Sequence, residues 1–352
     1  MNNLFILHTQ YNLILATGIA LRHPGDNNTL VLYSEFSVSD EMLCSLKKVF
    51  QDIVVVNDRF RMPQRLFSEI KHIRKCLGQT RRLWKRKFDV AYLSQERVFD
   101  LALLGKIRKY SKCVNCIAIE EDAYYSINNL RNSESYVPCI SQRVKITNWI
   151  MHAALFGFPY DYKELIYCYG MHSVYSCANL LFPEIARKEL QWKKLIEVTI
   201  DDVIAGIRAL YSEIRVDYPQ NSKYVVVFMD LMNRYHDKAL VKTVLLKTMK
   251  MCAETGRTIL IKYHPRETER FEIGGDVHEI NMIIPAEKVL LDLQGKDALI
   301  VGNATTACRV AAKMGYRVYS ICKIDAPQNK CMHDALTQMG IHCIDNYDEL
   351  EY

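Results

Sequence analysis

The nine residues Ile259-Leu-Ile-Lys-Tyr-His-Pro-Arg-Glu267 close an apolar run with groups suited to an anion. Gly256 ends a helical pattern, and Thr258 to Ile261 is a short β-rich run that reads as a buried strand. Pro265 cannot donate to a sheet ladder and stops it. Lys262, His264 and Arg266 then stand at the carboxyl end of that strand, the edge at which open α/β sheets bind ligands. The alternative is a solvated strand end.

Other stretches place chemistry at similar positions. Ile119-Glu120-Glu121-Asp122-Ala123 puts adjacent carboxylates directly after an apolar run. Their mutual repulsion can raise one pKa enough to make a general base. The alternative is an acidic start to a helix from Tyr124. Pro285-Ala286-Glu287 follows the apolar run Ile280 to Ile284. Val301-Gly302-Asn303-Ala304-Thr305-Thr306 reads as a strand, a Gly-containing turn and a helix start. Hydroxyls and backbone N–H groups at such a start form a natural phosphate site, although Thr305 would also serve simply as an N-cap. A base, a cation, a carboxylate and a helix start suit a nucleotide-sugar donor: its phosphate leaves while an acceptor hydroxyl is deprotonated.

The elements that must hold these groups alternate. Strands are expected at 3–8, 29–33, 53–56, 89–93 and 116–119, with helices at 11–21, 40–50, 64–76 and 99–110 between them. Thr9, Gln10 and Tyr11 fall in the first turn, on the ligand-facing edge of a parallel sheet. Residues 138–169 are aromatic and helical, and 182–213 read as a polar helical bridge. The alternation resumes at Lys223, with strands at 224–228, 258–263, 280–284, 298–301 and 317–322. This order predicts an α/β protein of two doubly wound Rossmann-like domains, residues 1–180 and 181–352, facing across a cleft.

Half of the 352 residues are apolar and a quarter charged, with a mild basic excess of 6. No low-complexity tract or repeat interrupts them, which excludes a disordered chain. The N-terminal apolar stretch lacks a basic region ahead of it and contains His8, Gln10 and Asn12, so no signal peptide is expected. No apolar run reaches the ~18 residues of a membrane span. With 12 cysteines and no export signal, a reducing cytoplasm is expected; Cys113 and Cys116 form the one close pair and read as structural. Lys71, Arg74, Lys75, Arg81, Arg82, Lys85, Arg86 and Lys87 crowd one segment, interleaved with Ile70, Ile73, Leu77, Leu83 and Trp84. That basic amphipathic stretch, Lys71 to Lys87, is expected to dock on an anionic membrane surface rather than on nucleic acid.

The order of motifs resembles the bacterial GT-B sialyltransferases of the lipooligosaccharide and capsule type, which are related to polysialyltransferases. Their acidic motif is similar to Glu121-Asp122-Ala123, their His-Pro motif to His264-Pro265, and their later Ser/Thr pair to Thr305-Thr306. The resemblance implies a CMP-activated donor as co-substrate, no metal, and a glycan or glycolipid acceptor met at the inner face of the cytoplasmic membrane. It implies that Asp122, with Glu121 beside it, is the general base and that His264 assists the departing phosphate. Thr305 and Thr306 would bind that phosphate, with Gly302, Lys262, Pro265 and Arg266 around the donor. Glu287 would hold the ribose hydroxyls, and Thr9, Gln10 and Tyr11 would lie on the acceptor side. Ala123 stands where the family has Gly, which restricts the loop at positive φ. Two other functions fit the same motifs: a CDP-alditol phosphotransferase of the teichoic-acid type, and a silent glycan- or nucleotide-binding protein.

Overall fold

The computed structural model describes residues 1–33, 36, 38–56, 66–95, 98–111, 115–119, 124, 175–187, 190–271, 274 and 277–350. The acidic cluster Glu120 to Asp122, Ala123, Cys113 and the aromatic region 138–169 lie outside them.

The chain divides into two compact units, Met1–Leu210 and Tyr211–Tyr352. This corrects the expected boundary at 180/181. The reason is a strand pair, the first in a stretch to which the sequence assigned no element and the second inside the expected polar bridge. Tyr175–Leu180 and Lys194–Glu197 each join the first sheet, and the helix that follows packs on the same unit.

In the first unit the strands are β1 (Asn2–Leu7), β2 (Asn27–Leu32), β3 (Asp52–Val55), β4 (Val90–Leu93), β5 (Asn115–Ile119), β6 (Tyr175–Leu180) and β7 (Lys194–Glu197). All their pairings are parallel, in the order β3-β2-β1-β4-β5-β6-β7. The crossing helices are α1 (Gln10–Leu21), α2 (Asp40–Leu46), α3 (Leu66–Gln79) and α4 (Val98–Arg108). Leu4, Phe5, Ile6 and Leu7 are all fully buried, as a strand covered on both faces requires. The helix α5 (Ile200–Tyr211) lies against α1 with glycine at both contact points. A Cβ on Gly206 would stand 2.2 Å from the Ile14 carbonyl oxygen, and one on Gly18 would stand 2.1 Å from that of Asp202. Only glycine permits this backbone approach. Arg22 at the end of α1 then clamps Asp202 of α5, donating from Nε to Oδ1 at 2.6 Å and from Nη2 to Oδ2.

In the second unit the strands are β8 (Lys223–Phe228), β9 (Thr258–Lys262), β10 (His278–Glu279), β11 (Asp297–Gly302), β12 (Arg317–Ser320) and β13 (His342–Cys343). They are again all parallel, in the order β10-β9-β8-β11-β12-β13. The helices are α6 (Lys238–Thr255), α7 (Ala286–Asp292), α8 (Thr306–Lys313), α9 (Cys322–Asp325) and α10 (Lys330–Gln338). Val225, Val227, Ile259, Ile261, Leu299 and Val301 pack on one face with Leu245 and Ile344; Val226, Leu260 and Ile300 are buried on the other. The expected strand at 280–284 is instead a turn, because the Asn281 side chain accepts from the Ile283 N–H at 3.0 Å and turns the chain outward. Both sheets reverse their strand order once, between β1 and β4 and between β8 and β11. Those reversals are where doubly wound folds bind ligands, beyond the carboxyl ends of the strands.

Candidate functional site

In the second unit the reversal brings together the loops after β8, β9 and β11. Phe228 is in register with Lys262, and the Met229 N–H donates to the Lys262 carbonyl at 2.9 Å, so Asp230 and His264 leave adjacent strands side by side. Glu267 ties the two loops together. Its buried carboxylate accepts from the backbone N–H groups of Met232 at 2.5 Å, Thr268 at 2.7 Å and Glu269 at 2.8 Å. Burial pushes that carboxyl up, but the three N–H groups outweigh it and hold its pKa below the ordinary value. Sequence reading passed over Glu267; its only signal was a position three residues after the His.

His264 is half-buried. Its Nδ1 accepts from the Arg266 N–H at 3.2 Å, which leaves the proton of a neutral ring on Nε2. Burial, with Arg266 next in weight, lowers its pKa to about 4, against the opposing pull of Asp230. The site therefore presents a neutral N–H donor rather than an imidazolium. Asp230 is occupied by its neighbours: Oδ1 accepts from the Leu231 N–H at 2.8 Å and from Arg234 Nη1 at 3.2 Å. Pro265 and Arg266 are exposed.

Lys262 ends β9 beside this edge. It is buried, and Nζ donates to the carbonyl oxygens of Met282 at 3.2 Å and Tyr263 at 3.4 Å. Burial lowers its pKa to about 8, moderated by Glu287. Glu287, in the first turn of α7, is buried as well, and burial raises its pKa against its own backbone N–H and Lys262. The buried Tyr211 phenol, raised by burial and then by Glu287, completes this cluster.

At the end of β11, a Cβ on Gly302 would stand 2.6 Å from Cys308 Sγ and 3.2 Å from the Phe228 carbonyl oxygen, so glycine lets α8 settle on the strand. The buried Asn303 is oriented by Nδ2 donation to Asp325 at 3.1 Å. Thr305 is the N-cap of α8: its Oγ1 accepts from the Cys308 N–H at 3.3 Å. Thr306 Oγ1 accepts from Arg309 Nη2 at 3.2 Å. Arg309, in the first turn of α8 and absent from the sequence-derived set, adds a cation to a helix N-terminus that already favours anions. A surface hollow of about 230 Å³ lined by Arg257, Asp297 and Arg317 lies at the opposite, amino edge of this sheet, away from these loops.

In the first unit, Thr9 caps α1, accepting from the Asn12 N–H at 3.2 Å; Thr9, Gln10 and Tyr11 are half-buried at the carboxyl edge. Beside them His8 is fully buried against Asp100 of α4, a pairing no local pattern announced. The catalytic assignments to Glu121 and Asp122 fall outside the described residues.

In the basic segment the apolar residues Ile73, Leu77 and Leu83 are buried in the fold, while Ile70 and Trp84 are half-buried. Arg82 and Arg86 pair with Asp52 at 2.5 and 2.7 Å. Lys71, Arg74, Lys75, Arg81, Lys85 and Lys87 remain exposed. Residues 81–87 precede β4, and the exposed Lys47 and Lys48 precede β3, so these charges gather at the amino edge of the sheet. Among the described residues no helix is long and apolar enough to cross a membrane.

No family model matches this sequence, and no curated protein matches it. Solved structures do. An α/β-galactoside α-2,3-sialyltransferase from Photobacterium phosphoreum is similar at TM-score 0.58 and 11% identity, over 99% of each chain. The glycotransferase of kitacinnamycin is similar at TM-score 0.55 and 12% identity, over 99% of this chain and 87% of that one. A UDP-GlcNAc 2-epimerase from Neisseria meningitidis, bound to UDP-GlcNAc, is similar at TM-score 0.53 and 13% identity, over 97% and 87%. The expected fold holds: the chain has the GT-B fold of paired Rossmann-like units.

Proposed function

We propose that this protein is an inverting glycosyltransferase that moves sialic acid, or a related nonulosonic acid, from a CMP-activated donor to a hydroxyl of a bacterial surface glycan. The observation that carries the reading is the constellation at the β8/β11 reversal. A neutral His264 N–H, Arg309 and the start of α8 are donors gathered where a doubly wound sheet takes a phosphate. The sialyltransferase and the UDP-GlcNAc-bound epimerase among the similar structures support a nucleotide sugar as ligand.

In this reading the second unit binds the donor. Nε2–H of His264 donates to the phosphate oxygen on which charge builds as the glycosidic bond breaks, so its effect is larger in the transition state. Thr306, Arg309 and the backbone N–H groups of α8 hold the remaining phosphate oxygens, and Glu287 engages the ribose hydroxyls. Thr305 contributes through the cap that orders this helix start. These side chains offset the leaving-group charge without a metal. The first unit handles the acceptor, with Asp122 assigned as base by the family resemblance. Docking is cytoplasmic and peripheral, through exposed cations at the amino edge of the first sheet. It is chiefly electrostatic in character, since Ile73, Leu77 and Leu83 of that segment are used in the core.

The test is nucleotide choice. CMP at 100 times its dissociation constant stabilises the folded protein by about 2.7 kcal/mol, a visible rise in melting temperature. Hydrolysis of CMP-sialic acid, CDP-glycerol and UDP-GlcNAc is measured alongside. Turnover of CMP-sialic acid is expected. Use of CDP-glycerol alone would make the protein an alditol phosphotransferase, UDP-GlcNAc alone would move it to another donor class, and binding without turnover of any would make it a silent binder.

A further inference from the structure

Four large apolar side chains are exposed among the described residues of the first unit: Met1 at 62%, Leu21 at 37%, Tyr110 at 48% and Trp192 at 63%. They are far apart in sequence, yet each lies where the chain is about to enter a strand. Met1 precedes β1, Leu21 ends α1 before β2, Tyr110 follows α4 before β5, and Trp192 stands just ahead of β7. Every pairing in that sheet is parallel, so all four fall on its amino edge. Hydrogen bonds fix the two aromatics there. Ser111, next to Tyr110, donates from Oγ to the Arg86 carbonyl at 3.1 Å and accepts from the Phe88 N–H at 3.0 Å, which ties it to the basic connection before β4. Lys193, next to Trp192, donates to the carbonyl of Tyr175, the first residue of β6, at 2.8 Å. The Lys193 ammonium also stands 4.1 Å from the centre of the Trp192 ring and holds one face of it.

The exposed cations before β3 and β4 lie on this same edge, joined by Lys109 beside Tyr110 and Lys194 beside Trp192. Two carboxylates of the edge are taken up within the fold, Asp52 by Arg82 and Arg86, and Asp89 by the Asn2 N–H at 2.7 Å. With strands about 4.8 Å apart, the mixture of cations and apolar groups extends over roughly 30 Å from β3 to β7. Single exposed apolar residues are ordinary, but four from separate connections, gathered on one edge among cations, mark an interaction surface. Cations attract anionic headgroups, and the amphipathic rings of Trp and Tyr settle at headgroup depth. A nucleic acid would use the cations and stack on the rings, but it would leave Met1 and Leu21 in water.

We propose that the amino edge of the first sheet docks on an anionic lipid bilayer with Trp192 and Tyr110 inserted into its headgroup layer. Met1 and Leu21 meet the same layer, and the surrounding cations hold the lipid phosphates. This inference rests on the peripheral-docking reading and deepens it: cations alone would keep the protein outside the surface, whereas the rings enter it.

Sedimentation of the full chain with vesicles of phosphatidylcholine and phosphatidylglycerol in equal parts, at low and at high salt, separates the two contributions. Trp192→Ala combined with Tyr110→Ala is expected to weaken partitioning about 10-fold at either salt, a modest share of what burying two aromatic rings provides. Apolar burial is not screened by ions, so replacing Arg81, Lys85 and Lys87 by Gln should weaken partitioning at low salt only. Bromine-bearing acyl chains should quench tryptophan emission in the wild type. Trp192→Phe keeps an apolar ring, so it should still bind and should lose most of that quenching. Wild-type partitioning of a folded alanine variant, or unchanged quenching in Trp192→Phe, overturns the insertion and leaves docking by cations standing. A wild type that does not sediment with these vesicles overturns both, and its retention on a single-stranded polynucleotide would give the edge to nucleic acid instead.

Discussion

If His264 works as a neutral hydrogen-bond donor, a side chain with an N–H at the same reach should replace it in part. His264→Gln places its amide nitrogen near the position of Nε2, whereas His264→Ala removes the donor. With the pKa drawn down to about 4 by burial and by Arg266, protonated rings at pH 7 number only about one in a thousand. The imidazolium is too scarce to be the working form. A hydrogen bond to a charged group contributes about 1.5–3 kcal/mol, so its loss in the transition state should reduce kcat roughly 10- to 160-fold in His264→Ala. His264→Gln should recover most of that loss, and donor KM should change less than kcat in both. The assay is steady-state hydrolysis or transfer from CMP-sialic acid between pH 5 and 9. The sign of the pH effect is fixed by the direction of the shift. A group with a lowered pKa is already deprotonated at pH 6, so raising the pH further should cost no activity through His264. Two results together would refute this reasoning. They are a His264→Gln enzyme as slow as His264→Ala, and a wild-type kcat that falls between pH 6 and 8 through a limb both variants lack. His264 would then be acting as a proton-donating imidazolium.

Three further outcomes are expected. Gly206→Ala should destabilise the protein by roughly 1–3 kcal/mol in urea unfolding, because its Cβ would overlap the Ile14 carbonyl and force α1 and α5 apart; unchanged stability would mean that the helices separate without cost. Lys262 titrates in the folded protein at about 8, below its ordinary 10.5, so the unfolded chain binds more protons between those values. Stability should therefore rise by up to about 3 kcal/mol as pH climbs through that window, and the same melts on Lys262→Met should lack this component. Replacing Arg81, Lys85 and Lys87 by Gln should weaken sedimentation with anionic vesicles in a salt-sensitive manner while hydrolysis of soluble donor is retained; the same change at Arg82 and Arg86, already paired with Asp52, should matter less.

The strands were legible in the sequence because the central ones are short apolar runs, β-branched in β8 and β11, and a strand covered on both faces needs little more to be recognised. Their alternation with helices told of parallel sheets, and Pro265 and Gly302 marked the ends of β9 and β11. Those features are local: they depend on which side chains a few consecutive residues turn inward. The strands β6 and β7 were missed for the complementary reason. Tyr175–Leu180 and Lys194–Glu197 carry Ser, Asn, Lys and Glu, and are strands by virtue of the ladders that β5 offers β6 and β6 offers β7. The domain boundary moved with them. Tertiary structure alone decided what each polar group meets. Lys262 sits in the motif that looked most like a ligand site, yet the fold turns it to the carbonyls of Met282 and Tyr263. Glu267 became the tie between two loops, Arg309 joined Thr306 at the head of α8, and His8 met Asp100 across 92 positions of chain. Hydrogen bonds and ion pairs are short-ranged and directional, so their partners are set by strand order. Strand order is a property of the assembled sheet, and no run of neighbouring residues encodes it.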